Sequence, residues 1–398
     1  MIVYASQQRV RSHNLGSVAA VVRERGGCSR TDIGEALSLN KATVSSLVGE
    51  LIGRGLVEDA GQRATSGPGR PRTIVRPDAT RHVSLVVEIL TDRVRLSSWT
   101  LAATRLEHRT LDLDPIDGGP EQTLQQTAEA LAAWVRRLRA ADRIVTGIAV
   151  SAPGLVDTRS GTLVRSSPLQ WNDVDIRAAL QRRRALREVP VLVERVANLA
   201  TVAEWQRAPE LEDVICLHGG ETGLGVGVVT GGRLLSGANG RAGGLLFADN
   251  VRMSVRPGRP ASSARLVAPA AEHLGFEDLL DLVRDPDSSF VEEAAALRAG
   301  LDRGDTEITG AVDAFADRLG DRLVALLELF DPSDVIFAGP LEAIADRVIP
   351  RVRRGLPDPS TMPEVRLVPG RSGPEASLAG AALMLADRTF AQLATAAA

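Results

Sequence analysis

A short polar segment near the N-terminus carries side chains suited to reading a DNA duplex. Residues 41–46 place one lysine, one threonine and two serines where a helix would turn them outward, while apolar residues take the inward positions. Such short, hydrogen-bonding side chains would let a helix enter a major groove about 12 Å wide and touch base edges and phosphates. The predicted contacts are Lys41, Ala42, Thr43, Ser45 and Ser46. A solvated helix face remains the alternative for this segment alone.

The flanking pattern favours the DNA-binding interpretation. Periodic apolar residues predict a helix over residues 10–25, and Ser29 with Asp32 resembles the capping box of a second helix. Asn40 is a favourable N-cap for the third helix, which Gly55 closes. Two short strands separated by a basic loop follow. We therefore predict a winged helix-turn-helix.

The loop between those strands is predicted to reach the minor groove. Its residues 67–72 read Gly-Pro-Gly-Arg-Pro-Arg, which resembles the core of an AT-hook. Such a run carries arginine into a narrow, electronegative minor groove on extended backbone. Arg70 and Arg72 are the predicted contacts. A flexible basic loop is the alternative for the run by itself.

The charge distribution separates this N-terminal segment from the rest of the chain. The 398 residues carry 47 basic and 50 acidic side chains, a formal net charge of −3. Residues 1–77 hold 11 basic and 6 acidic side chains, so their charge is +5 and that of the remainder is −8. We call residues 1–77 the head and the remaining residues the body. A basic head on an acidic body indicates that the head binds a polyanion and that the body has another role.

Composition argues against several other classes of protein. No apolar stretch approaches the ~18 residues that read as a membrane span, and the first residues lack the order of a signal peptide. The two cysteines, Cys28 and Cys216, are too few for a disulfide framework or a thiolate metal cage. We expect a cytoplasmic protein without a membrane partner.

The remaining sequence predicts two α/β lobes, because strand runs mixed with helices occur twice. The predicted organisation is a winged helix-turn-helix domain at 1–77, a linker at 78–81, a first lobe at 82–197 and a second lobe at 198–374. The C-terminal helix, 375–398, is expected to pack back on the first lobe. The second lobe is expected to hold the effector cleft and the surface for oligomerisation.

The whole chain resembles the ROK family of repressors, open reading frames and sugar kinases. The motifs that carry the resemblance are SRTDI at 29–33, KATVS at 41–45, GRP at 69–71, APGLVD at 152–157, GGRLLSG at 231–237, DP at 331–332 and GAA at 380–382. The resemblance implies an α/β fold in which a winged helix-turn-helix precedes a two-lobed, actin-like (ribonuclease H-like) ATPase/sugar kinase body. It also implies a repressor that binds a palindromic operator as a homodimer or tetramer.

Two positions depart from the kinases of that family. Their catalytic base is the aspartate of a Glu-Asn-Asp-Ala-Asn run, where this chain has Val196, and valine accepts no proton. Their first phosphate loop has glycine where this chain has Leu90, whose side chain would obstruct phosphate. The glycine-rich run at 219–227 matches their nucleotide loop, but glycines also form turns. We predict no catalytic residue, no cofactor and no enzymatic activity; an active ATP-dependent sugar kinase is the less favoured alternative.

The family's sugar contacts are altered as well. The residues at the positions of those contacts lack the amides and carboxylates that polyol recognition needs. Separately, Phe247 replaces a histidine of the family's zinc site, so we predict no metal. The predicted effector-binding residues are Pro168, Arg195, Val196, Asn198, Gly244 and Phe247. A wider, more apolar cleft with one cation would suit an acidic metabolite rather than a simple hexose. A cleft filled by its own side chains, or a body gated by a protein partner, remain alternatives.

Overall fold

Three helices and a small antiparallel sheet form the N-terminal domain of the computed structural model. The model describes residues 2–63, 72–220, 223–238, 240, 242–243, 276–283, 290–357 and 364–395. The helices are α1 (Ile2–Glu24), α2 (Arg30–Leu37) and α3 (Lys41–Gly53), and the strands are β1 (Cys28–Ser29), β2 (Val57–Arg63) and β3 (Arg72–Pro77), in the order β1-β3-β2. This is the predicted winged helix-turn-helix. Its strands extend farther into the wing than predicted, since the β2–β3 ladder continues to the pair Arg63 and Arg72 after an irregularity at Asp59–Gln62.

Local capping fixes the two central helices of this domain. The Ser29 hydroxyl accepts a hydrogen bond from the Asp32 amide at 3.2 Å, and the Asp32 carboxylate accepts one from the Ser29 amide at 2.9 Å. At the start of α3, Asn40 Oδ1 accepts a hydrogen bond from the Thr43 amide at 2.9 Å. These caps satisfy backbone donors that have no partner inside a helix, so the sequence alone sets where both helices begin.

The first lobe consists of β4 (His82–Ile89), β5 (Val94–Thr100), β6 (Arg105–Leu111), α4 (Gly119–Ala140), β7 (Ile144–Ala152), β8 (Leu155–Asp157), β9 (Thr162–Ser166), β10 (Trp171–Asp175), α5 (Ile176–Gln181) and β11 (Val191–Arg195). It is built on a five-stranded sheet with the order β11-β7-β4-β5-β6. Strands β4, β7 and β11 run parallel, whereas β5 and β6 extend the sheet as antiparallel neighbours. A three-stranded antiparallel sheet, β8–β10, lies beside it.

The described elements of the second half are α6 (Val196–Trp205), β12 (Val214–Gly220), β13 (Gly223–Thr230), β14 (Arg233–Leu234), α7 (Phe276–Asp281), α8 (Phe290–Asp302), α9 (Thr306–Phe330), β15 (Asp334–Ala338), α10 (Ala345–Gly355) and β16 (Arg366–Pro369). Its sheet has five strands, in the order β14-β13-β12-β15-β16. Strands β12, β15 and β16 are parallel, and β13 and β14 complete the sheet in antiparallel register. The long helix α9 supplies much of the core on one face.

Helix α11 (Ala376–Thr395) contacts all three parts of the chain. It packs against β4 and β7 of the first sheet, against α6, and against α1 of the N-terminal domain. A Cβ atom on Gly380 would collide with the backbone of Leu199, so this glycine lets α11 and α6 cross closely. The predicted boundary between the lobes, after residue 197, falls within α6, which itself contacts strands of both sheets.

The N-terminal domain shares its core with the body. Ala386 and Phe390 of α11 and Leu101 at the end of β5 are buried in the same apolar cluster as the helices of the head. Arg23 of α1 forms an ion pair with Asp387 of α11. The head is therefore packed onto the body through side chains as well as joined to it by the chain.

The predicted linker is a hydrogen-bonded turn. Asp78 Oδ1 accepts hydrogen bonds from the amides of Thr80 at 3.0 Å and Arg81 at 2.6 Å, and the Asp78 amide donates to Leu56 O at 2.9 Å. Within the described residues, no helix combines the length and the apolar character that crossing a bilayer requires.

Candidate DNA-binding surface and interlobe site

One face of α3 is available to a ligand, and the opposite face is core. Lys41, Ala42, Ser45 and Ser46 are exposed and Thr43 is half-buried. The inward residues Val44, Leu47, Val48 and Leu51 are at most 1% exposed. The predicted contact residues therefore lie together on the outer side and N-terminal turns of a rigidly packed helix. Partial positive charge at that N-terminus would favour a phosphate.

Arg11 of α1 also belongs to this surface, and the sequence analysis missed it. Its guanidinium lies 2.7 Å from Glu50 Oε2 and 3.4 Å from the hydroxyl of Ser46. Arg54 pairs with the other oxygen of Glu50 at 2.5 Å. Two arginines therefore offset the charge of Glu50, which lies next to the predicted DNA-contacting face. Arg11 is 39 residues from Glu50 in the sequence, so no local pattern links them.

The structure leaves the predicted wing contacts largely undescribed. Arg70 lies outside the described residues. Arg72 is the first residue of β3, and its backbone pairs with Arg63, but its side chain is also outside the described set. The predicted role of both arginines at the minor groove stays a prediction.

At the interlobe site, three polar residues close a hydrogen-bond network where β11 ends and α6 begins. Glu194 Oε1 accepts hydrogen bonds from the Arg195 amide at 2.8 Å and from Asn198 Nδ2 at 2.9 Å. Asn198 Oδ1 accepts one from the Arg195 guanidinium at 2.7 Å. Asn198 is fully buried, and both ends of its amide are engaged by protein groups. The network is satisfied largely within itself.

Arg195 also reaches the second half of the body. Its Nη2 atom donates to Ala242 O and lies 3.4 Å from Val226 O of β13. Gly243 has a φ of +81°, and a Cβ atom there would lie 2.8 Å from Nη2, so the missing side chain makes room for the guanidinium. Arg195 is 6% exposed, and its Nε atom is buried without a hydrogen-bond partner in the described part of the chain.

Burial changes the titration of this network. It raises the pKa of the Glu194 carboxyl group, and the hydrogen bonds from Arg195 and Asn198 together with the charges of Arg195 and Arg388 oppose that rise. The guanidinium of Arg195 has its pKa lowered, again by burial, with Glu194 acting in the opposite sense. Because an isolated buried charge is costly, each of these two groups depends on the other.

The other predicted effector residues have different surroundings. Val196 is half-buried as the first residue of α6, directly beside Arg195. Pro168 is half-buried in the turn between β9 and β10. Gly244 and Phe247 lie outside the described residues. Of the six predicted residues, the structure thus brings Arg195, Val196 and Asn198 together, and no carboxylate occupies the position of Val196.

The segment that corresponds to the kinases' first phosphate loop is a tight turn between β4 and β5. The Leu90 amide donates to Arg93 O at 3.0 Å, which closes the turn. Glu88 is buried before it, where Oε2 accepts a hydrogen bond from Arg95 Nε at 2.8 Å and Oε1 accepts one from the Ser377 hydroxyl at 2.9 Å. The carboxylate therefore ties α11 to the sheet.

The glycine-rich run at 219–227 has a packing role. A Cβ atom on Gly225 would lie 2.7 Å from the Ala197 side chain, and one on Gly227 would collide with the Thr201 side chain. Both glycines let α6 lie directly on β13. A Cβ atom on Gly219 would likewise lie 2.9 Å from Leu341. These close approaches account for three of the glycines without a nucleotide. In the described ranges, no group of three or more His, Cys, Asp or Glu side chains is arranged to hold a metal ion.

Comparison with known proteins agrees with this architecture. The putative xylose repressor of Caldicellulosiruptor sp. (strain Rt8B.4) is 25% identical over 343 residues, which cover 82% of this chain and 82% of that protein. A solved ROK family transcriptional regulator, described as a homolog of the E. coli MLC protein, superposes with a TM-score of 0.69 at 19% identity, over 98% of this chain and 100% of that chain.

A solved sugar kinase covers a smaller share of this chain than the regulator does. The ROK hexokinase from Thermus thermophilus superposes with a TM-score of 0.52 at 26% identity, over 76% of this chain and 97% of that chain. Residues 98–245 match the sequence model of the ROK family. With a winged helix-turn-helix ahead of a two-lobed, actin-like α/β body, this chain has the fold of the solved ROK regulator, and its residues 98–245 form a ROK family domain.

Proposed function

We propose that this chain is a transcriptional repressor that binds operator DNA through its head and has no sugar kinase activity. The observation that carries the proposal is the exposed face of α3 around Lys41, presented by a head that is packed onto a ROK body. The relative from Caldicellulosiruptor is itself named a putative xylose repressor. A protein that acts on the chromosome would work in the cytoplasm.

The geometry of the head suggests how the duplex would be bound. The N-terminal turns of α3 would enter the major groove, with Lys41, Ser45 and Ser46 directed at bases and phosphates. Arg11 would lie at the edge of that contact, beside Ser46. A dimer would place two such heads on the half-sites of a palindromic operator.

We expect no kinase activity because of the residue at the general-base position. Val196 carries no group that accepts a proton from a sugar hydroxyl. The neighbouring polar groups of Glu194 and Asn198 are engaged with Arg195, which leaves them poorly placed to bind a hexose. Purified protein with ATP and a panel of hexoses should release no ADP above a protein-free control, whereas turnover would contradict this part of the proposal.

The effector would be an acidic metabolite that binds at Arg195. The Nε atom of Arg195 is buried without a partner in the described residues, and an unsatisfied buried donor is costly. A ligand carboxylate at this guanidinium would satisfy Nε and compete with Ala242 O for Nη2. Calorimetry with hexoses, sugar phosphates and carboxylic acids would test this, and tight binding of a neutral hexose would contradict it.

Operator binding is tested in two stages. Immunoprecipitation of the protein from its own cells, followed by sequencing of the bound DNA, identifies the bound sites. Fluorescence anisotropy then compares a bound site with a scrambled duplex, for the natural protein and for a variant with Lys41→Ala, Ser45→Ala and Ser46→Ala. We expect the variant to lose the preference for the bound site. Arg303→Ala, an exposed arginine on the body, is the matched control. Equal affinity of the natural protein for both duplexes would contradict the proposal.

A further inference from the structure

A pocket of about 770 Å³ lies where the linker meets the first lobe. Thr80 and Arg81 line it from the linker, Arg139 from the end of α4, and Asp142, Arg143 and Ile144 from the approach to β7. These residues lie at the edge where β4 and β7 begin. Glu194 and Arg195 lie at the opposite edge, where the parallel strand β11 ends. The pocket is therefore separate from the interlobe site.

The lining carries an excess of positive charge. None of Arg81, Arg139 and Arg143 forms an ion pair with any residue that the structure describes, although Arg139 lies 3.4 Å from the carbonyl oxygen of Ala185. Asp142 offsets one of the three charges, which leaves the lining at +2. Neighbouring like charges repel each other and together attract an anion.

The helix dipole explains only part of this cluster. A cation near the C-terminus of a helix is favourable, which accounts for Arg139 at the end of α4. It does not account for Arg81, which belongs to the linker. The backbone of Arg81 is held on both sides, because its amide donates to Asp78 at 2.6 Å and its carbonyl accepts from the Ile144 amide at 2.8 Å.

The stem of Arg81 is also placed by packing. A Cβ atom on Gly55 would lie 2.7 Å from Arg81 Cδ, so the glycine that ends the third helix of the head gives this side chain its space. An arginine that is positioned before a ligand arrives loses less conformational entropy on binding.

We propose that this pocket binds a small phosphate-bearing anion. Guanidinium groups match the geometry of phosphate oxygens, and a lining charge of +2 suits a phosphate dianion better than a single carboxylate. The pocket is largely open to solvent, so an organic group attached to the phosphate would have space beside it. The Asp142 carboxylate in the pocket wall would accept a hydrogen bond from a hydroxyl or amino group on the organic part of the ligand. The ligand would bridge the linker and the first lobe, and so restrain the head.

The test is calorimetry on the full chain at low ionic strength, with pyrophosphate, AMP and acetate as probes. We expect pyrophosphate and AMP to bind and acetate, a single carboxylate, to bind at least about tenfold more weakly, which corresponds to about 1.4 kcal/mol. The variant Arg139→Gln/Arg143→Gln should lose at least about tenfold in affinity for pyrophosphate. Arg303→Gln, in an exposed arginine elsewhere, should bind as the natural protein does.

Three outcomes would overturn the proposal: no binding of either phosphate probe, equal binding of acetate, or unchanged binding by the double variant. Neither Arg139 nor Arg143 forms an ion pair with a described residue, so their replacement should be tolerated. Thermal unfolding without ligand checks that the variants fold. A single Arg143→Gln variant gives a second measurement should the double variant be unstable. Calorimetry uses no DNA, so its result is independent of whether the head binds an operator.

Discussion

The Nδ1 atom of His82, the first residue of β4, lies 2.8 Å from the carbonyl oxygen of Gly55, at the end of the third helix of the head. A carbonyl only accepts, so Nδ1 carries the proton in this contact. Burial lowers the pKa of His82, which keeps the ring neutral near pH 7. With the ion pair of Arg23 and Asp387 on α11, this hydrogen bond holds the head to the body on two sides. A change in the body that moves α11 or β4 would therefore move the face of α3 that we propose binds DNA.

Truncating Phe390 should loosen the head. This side chain of α11 is 4% exposed inside the core of the N-terminal domain. Phe390→Ala should lower the free energy of unfolding by about 3–5 kcal/mol, because it removes buried apolar surface and leaves a cavity. Urea unfolding followed by circular dichroism measures the change.

The matched control for Phe390 is Leu329→Ala, since Leu329 is a large apolar residue that is 68% exposed. We expect its effect to be within about 0.5 kcal/mol of zero. Equal stabilities of the Phe390 variant and the natural protein would show that α11 is not part of the head's core.

His218 should make the protein sensitive to acid. It is buried in β12, and burial lowers its pKa from 6.5 to about 4. Between those two values the unfolded chain binds a proton that the folded chain excludes, so the free energy of unfolding falls as the pH falls. From pH 7 to pH 4.5 the loss from this group is about 2–3 kcal/mol.

Replacing His218 tests that origin. His218→Gln removes the titrating group, so the variant should lose less stability between pH 7 and pH 4.5 than the natural protein, whatever its stability at pH 7. His108→Gln, at an exposed histidine, is the matched control for the substitution itself. Urea unfolding of each protein at pH 7 and at pH 4.5 measures the free energy of unfolding at both values. If all three proteins lost the same free energy of unfolding between them, His218 would be excluded as the origin.

Much of the head could be predicted from the sequence because its determinants are local. The capping pairs Ser29 with Asp32 and Asn40 with Thr43 each span three residues, and they appear in the structure as hydrogen bonds. The inward stripe of α3 follows from helical periodicity in the same way. The length of the wing strands was not predictable, since cross-strand pairs such as Arg63 with Arg72 leave no periodic signal in a Gly- and Pro-rich segment.

The sites were less predictable where distant residues meet. The contact of Arg195 with the carbonyl oxygen of Ala242 joins residues 47 positions apart, and a backbone acceptor has no sequence signature. The role of Gly225 and Gly227 beneath α6 also depends on tertiary packing. A glycine motif that matches a nucleotide loop is indistinguishable, by sequence alone, from one that lets a helix approach a strand.

Operator DNA should protect Lys41 from chemical modification. Lys41 is the only lysine among the 47 basic side chains, and it is exposed at the start of α3. An amine-reactive label read by peptide mass spectrometry therefore reports this one side chain. We expect operator DNA to suppress labelling of Lys41, and a scrambled duplex at the same concentration to suppress it less. Labelling that both duplexes leave unchanged would place α3 away from the DNA.

The charge of Lys41 should also appear in the salt dependence of binding. Removing one phosphate contact lowers the slope of log K against log salt by about 1. Lys41→Ala should show that loss, while Lys41→Arg should retain most of the slope because the charge is kept. Anisotropy titrations at several salt concentrations provide the measurement, and an unchanged slope in Lys41→Ala would remove Lys41 from the phosphate contacts.

Replacing Arg195 should destabilise the body even without any effector. Arg195→Met removes the cation that accompanies the buried Glu194 and the donor that Asn198 uses, so the free energy of unfolding should fall by about 3–5 kcal/mol. Adding Glu194→Gln removes the isolated charge, so the double variant should be more stable than Arg195→Met alone. A double-mutant cycle in urea unfolding measures this coupling. If Arg195→Met were neutral for stability yet abolished binding of an acidic ligand, the guanidinium would serve the ligand rather than the contact with Ala242.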